Sequence, residues 1–60
     1  MDRTDRKIVA LLERDARLTY GEVGKRVGLA ASSVHDRVRK LEKAGVLRGY
    51  RADVDFEAVG

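Results

Sequence analysis

The sequence predicts a mostly α fold, three short helices followed by a brief C-terminal strand. Three observations carry this expectation. Apolar residues recur at helical spacing in three separate segments: Ile8, Leu11 and Leu12, then Val23 and Val27, then Val34, Val38 and Leu41. Breaks separate them, at Asp15-Ala16-Arg17-Leu18 and at Gly28. The chain has 60 residues with no proline and no cysteine, so apolar packing alone must hold it. A domain this small buries only about 60% of its unfolded surface, and a helical bundle with short connections is the economical solution.

Helix one is expected over residues 4–16. Asp2 or Thr4 can cap its N-terminus, and Asp5 sits favourably against the helix dipole. Helix two is expected over 19–27, opened by Thr19-Tyr20-Gly21-Glu22, which reads as a capping box, and stopped by Gly28 in the left-handed conformation. Gly21 and Gly24 each cost about 1 kcal/mol relative to alanine inside a helix. Tertiary packing must therefore hold this segment, and Gly24 is the expected place where helix three crosses. Helix three is expected over 31–44, ended by Gly45. Its stripe of Val34, Val38 and Leu41 faces the core, and Ser32, Asp36, Arg39 and Lys43 point the other way with Ser33 and Lys40 beside them. His35, Arg37 and Glu42 fall on the boundaries. Residues 46–54 look extended and predict a short strand.

Charge is unevenly spread. Lys25 to Arg51 holds eight bases and two acids in 27 residues, and the last eight residues hold three acids and no base. That asymmetry suits a polyanionic partner for the middle of the chain, although a solvated charged face would look the same. No apolar run reaches the roughly 20 residues a bilayer requires, and no signal peptide is apparent. With one histidine and no cysteine there is no metal cluster. No nucleophile–base set or phosphate loop is present either, so an enzyme is not expected.

Two helices joined by a glycine turn of about four residues, the second with a basic outer face, match a helix-turn-helix. In that motif the second helix enters the DNA major groove. Arg39 is placed to bond guanine or to hold a phosphate, the plain alternative being an ion pair with Asp36. Lys40 and Lys43 suit phosphates. Ser32 and Ser33 either contact DNA or cap the helix. Asp36 can accept from cytosine, though orienting Arg39 or Lys40 is the simpler role. His35 divides between DNA contact and packing. Arg37, nearer the core, is expected in an ion pair with Asp5 or Glu42. Thr19 and Tyr20 can meet phosphate or simply cap and pack. Arg48 and Arg51 can follow the DNA backbone as a wing or solvate the strand.

Further features stand in fixed order: Asp2, Asp5, Ile8 and Leu12; "DAR" at 15–17; "VGL" at 27–29; "SSV" at 32–34; Arg37-Val38; "KLEKAGVL" at 40–47; and "GYRADVD" at 49–55. Together they resemble the amino-terminal domain of the Lrp/AsnC (feast/famine) transcription regulators. The resemblance implies a prokaryotic, cytoplasmic, winged-helix-like domain over 1–49, its helix-turn-helix near 20–39, that binds double-stranded DNA in a sequence-specific way. Residues 50–60 would be a strand or hinge leading to a second domain, absent here, that binds amino-acid effectors and builds dimers or higher oligomers. This piece alone would be a monomer or weak dimer, with no cofactor of its own. Two departures stand out. Ala30 replaces the usual serine cap of helix three, unless Ser32 or Ser33 takes over, and Gly24 replaces an alanine, both being small enough. The alternative from a different class is a helix-turn-helix that docks an acidic protein.

Overall fold

The computed structural model describes residues 1–60. Its helices are α1 (Arg3–Arg14), α2 (Tyr20–Val27), α3 (Ala31–Lys43) and a single-turn α4 (Phe56–Val59). The first three enclose one small core. Ile8, Val23, Val34 and Val38 are fully buried, Leu12 and Leu41 nearly so, and Val9, Leu11, Leu18, Val27, Leu29 and Leu47 pack around them. No polar or charged side chain is buried.

Local chemistry sets each boundary. The Asp2 carboxylate accepts the Asp5 N–H at 2.8 Å and so caps α1. At the other end α1 stops two residues short of the expected 16. Asp15 turns out of the helix (φ −149°, ψ 95°), and its side chain accepts the Arg17 N–H at 3.0 Å. A short acid that can bond the backbone locally competes with the helix in this way. The capping box of α2 is complete: the Glu22 N–H donates to Thr19 Oγ1 at 3.1 Å, and the Thr19 N–H to Glu22 Oε1 at 2.9 Å.

Gly28 takes φ +77° after α2, as a left-handed stop requires. The Gly24 carbonyl accepts the N–H groups of both Gly28 (2.7 Å) and Leu29 (2.9 Å). That turn folds back onto Gly24 itself. A Cβ there would overlap the Leu29 carbonyl oxygen and lie 3.3 Å from its carbon. The crowding expected from α3 therefore comes from the backbone of the turn, and alanine is not small enough without moving it.

The N-terminus of α3 has Ala30 at the cap position with no side-chain hydrogen bond, and neither serine substitutes for it. Its C-terminus is better closed. Gly45 has φ +77°, its N–H donates to the Glu42 carbonyl at 3.1 Å, and the Val46 N–H donates to the Leu41 carbonyl at 3.0 Å. That pair of bonds is a Schellman motif, and it turns Leu47 back onto the core.

The expected C-terminal strand is not formed. Residues 48–55 have no regular secondary structure and enter no backbone–backbone hydrogen bond. A strand exists only as part of a ladder, and the chain supplies no second strand to pair with. Asp55 instead caps α4, its carboxylate accepting the N–H groups of Glu57 and Ala58. This tail stretches the molecule. Its radius of gyration is 13.0 Å, with extents of 41 × 24 × 17 Å, against about 10 Å for a compact 60-residue domain.

Candidate nucleic-acid interface

The outward face of α3 is the candidate. Ser32, Asp36, Arg39, Lys40 and Lys43 are exposed along it, and Ser33 is half-buried at its edge. None of their side chains makes a hydrogen bond or ion pair within the chain. The expected pairing of Asp36 with Arg39 or Lys40 is therefore not formed. Three cations and two hydroxyls face solvent unengaged, and the acid among them leaves their charge unneutralised by direct contact.

The flanks of α3 are different, because each is tied down. On one flank, Arg37 Nη1 reaches Asp2 Oδ2 at 2.9 Å and Asp5 Oδ1 at 3.0 Å. Of the two partners expected for it, Asp5 is bonded and Glu42 is not, since Glu42 lies on the opposite flank. Asp2 was legible only as a possible cap and performs both tasks. The N–H of Asp5 and then the Arg37 guanidinium hold the Asp2 carboxyl below its usual value, and Arg37 is raised in return by Asp2 and Asp5. On the other flank, the His35 ring stacks on Tyr20, with centroids 5.1 Å apart and planes 23° from parallel. The Tyr50 hydroxyl donates to Glu42 Oε2 at 3.1 Å. Partial burial, then that bond to a carboxylate, raises the Tyr50 hydroxyl above its ordinary value. Sequence reasoning did not find Tyr50. Its only signal was a tyrosine eight residues beyond Glu42, a separation that no helical or strand period links.

The other expected contacts lie apart from this face. Thr19 is committed to its capping box, where its own N–H and hydroxyl hold Glu22 below the usual carboxylate range. Arg48 and Arg51 border a groove of about 850 Å³ between the end of α1, at Glu13 to Arg17, and the tail. They are exposed, but no strand presents them as a wing. No group of His, Asp and Glu side chains could hold a metal ion, and no helix is long and apolar enough to cross a membrane.

Comparison with known proteins agrees with this architecture. The AsnC-type helix-turn-helix domain matches residues 1–42. The HTH-type transcriptional regulator YezC of Bacillus subtilis is 51% identical over 57 residues, covering 95% of this chain and 41% of that protein. Among solved structures, the leucine response regulatory protein of Mycobacterium tuberculosis superposes with a TM-score of 0.87 at 47% identity, over 100% of this chain and 41% of that one. A transcriptional regulator from Neisseria meningitidis, in complex with L-Met, superposes with a TM-score of 0.92 at 41% identity, over 98% of this chain and 38% of that one. The chain thus spans about two-fifths of the length of these relatives. On its sequence, its three-helix core and its capped turn, it belongs to the Lrp/AsnC family of transcriptional regulators, whose AsnC-type helix-turn-helix domain it comprises.

Proposed function

We propose that this domain reads double-stranded DNA for a transcription regulator, with α3 laid in the major groove. The observation that carries the reading is the contrast on α3: both flanks are bonded to the rest of the chain, while the outward face bonds to nothing. In this reading Arg39 contacts guanine O6 and N7 or a phosphate, and Lys40 and Lys43 contact phosphates. Ser32 and Ser33 allow the backbone to come close, and Asp36 accepts from cytosine N4. Thr19, Arg48 and Arg51 lie outside this face and contribute phosphate contacts at most. The whole regulator acts in the cytoplasm as a dimer or larger oligomer, since half-sites are read by symmetric pairs. It takes an amino acid or similar effector outside this domain, and this domain needs no cofactor and catalyses nothing. A helix-turn-helix that docks an acidic protein fits less well. Protein interfaces lean on aromatic anchors, and the outward face of α3 carries none.

An amide NMR titration with a palindromic duplex, at low and at physiological salt, tests the reading. Shifts concentrated on Ser32 to Lys43 that persist at physiological salt are expected. Shifts scattered over every basic residue and abolished by salt would reduce the domain to a nonspecific polycation.

A further inference from the structure

The core beneath α3 is small and smooth. Val34 and Val38 are short, round side chains, and apolar contact alone has no direction. Val34, Val38 and Leu41 are the three α3 side chains in the core, so apolar packing resists a small roll of the helix with few contacts. A roll of about 20° moves a side-chain tip roughly 6 Å from the axis by about 2 Å. Hydrogen bonds tolerate only about 0.5 Å. Something directional must therefore fix the roll if the outward face is to read anything.

Arg37, held by Asp2 and Asp5, secures one flank. The opposite flank is secured by two tyrosines from separate parts of the chain. Tyr20, the first residue of α2, stacks on His35. Tyr50, from the segment after α3, bonds Glu42. His35 and Glu42 are seven residues apart, two helical turns, and so share one side of α3. Both tyrosines also border one shallow groove of about 410 Å³ with Leu12, Ala16, Leu18 and Thr19.

We propose that Tyr20 and Tyr50 are positioning residues: gripping His35 and Glu42, they set the roll of α3 and thereby which base edges Ser32, Asp36 and Arg39 reach. The inference rests on the DNA-reading function above, but the geometry can be tested without it.

The test is made on Tyr20→Phe, Tyr20→Ala and Tyr50→Phe. The orientation of α3 relative to α1 is read from amide residual dipolar couplings in each variant. Binding is read with two duplexes, one enriched by the wild-type chain from a randomised pool and one scrambled to the same composition. Tyr20→Phe, which keeps the ring, should retain the wild-type orientation. Tyr20→Ala and Tyr50→Phe should each reorient α3 and reduce discrimination between the duplexes by about fivefold or more, the scale of one mismatched base pair. Affinity for the scrambled duplex and its salt dependence should hold. Unchanged couplings in Tyr20→Ala and Tyr50→Phe would overturn the proposal. So would a loss of DNA binding in Tyr20→Phe equal to that in Tyr20→Ala, which would make the hydroxyl a DNA contact. Should Tyr20→Ala unfold, Tyr50→Phe decides alone. If the wild-type chain enriches no sequence, the DNA reading fails while the couplings still decide the positioning.

Discussion

Arg39 and Lys43 share one face of α3 but make different predictions. If Arg39 reads a base, Arg39→Ala costs about 1–3 kcal/mol of discrimination at one position. Lys43→Ala should weaken all sequences alike and lower the slope of log affinity against log salt by about one. Titrating each variant against matched and mismatched duplexes at several salt concentrations separates the two. Asp2 makes a prediction about acid stability. Its carboxyl is held low in the folded chain, first by the Asp5 N–H and then by Arg37. A depressed carboxyl contributes stability above its unfolded value of about 3.9, and that contribution is lost as pH falls through the lower folded value. Asp2→Asn should therefore destabilise the chain at neutral pH and shrink the loss of stability on acidification, as read by thermal melts from pH 7 to pH 2. Arg37 shows how far residue types alone can be read. Its place near the core edge foretold an ion pair, and Asp5 was a correct partner. Asp2 was read only as a helix cap, a local role that its carboxylate fills while also reaching Arg37.

At the scale of single elements, the sequence was most legible where one short-range bond decides the outcome. The capping box at Thr19 and Glu22, the left-handed Gly28 and the apolar stripe of α3 all follow from chemistry within a few residues. The C-terminal strand was misjudged because extended character is local whereas a ladder needs a partner. The two glycines of α2 make opposite predictions. At Gly21 a Cβ meets nothing closer than Thr19 Oγ1 at 3.8 Å, so Gly21→Ala should stabilise by up to about 1 kcal/mol. At Gly24 a Cβ collides with the Leu29 carbonyl. Overpacking costs typically 1–3 kcal/mol, so Gly24→Ala should destabilise despite its gain in helix propensity. Paired urea titrations decide both signs. The N-terminus of α3 offers a third test. Ala30 already has the extended φ and ψ (−67°, 153°) of a cap residue. Ala30→Ser should therefore supply the missing hydrogen bond and stabilise by about 1 kcal/mol, or about 4–8 °C in thermal midpoint for a domain this small.

For the molecule as a whole, six residues make up the buried apolar core, so stability has little reserve. Removing a buried leucine side chain costs about 2–5 kcal/mol, a large part of what any small domain possesses. Leu12→Ala should leave the chain largely unfolded at 25 °C, with collapsed amide dispersion in its NMR spectrum. The placement of this core was legible, since helical periodicity marked each of the six residues. What escaped the sequence was the Arg37–Asp2 bond and the contacts of Tyr50 with Glu42 and of Tyr20 with His35, because they join residues with no periodic relation. The division of labour on α3 has an evolutionary consequence. Its outward residues make no side-chain hydrogen bond or ion pair with the rest of the chain, so substitutions among them leave folding almost untouched. Selection can then readdress the domain to a new sequence by changing four or five side chains, with no compensating repair elsewhere. A lineage copying this gene could diversify its targets quickly while its architecture stayed still.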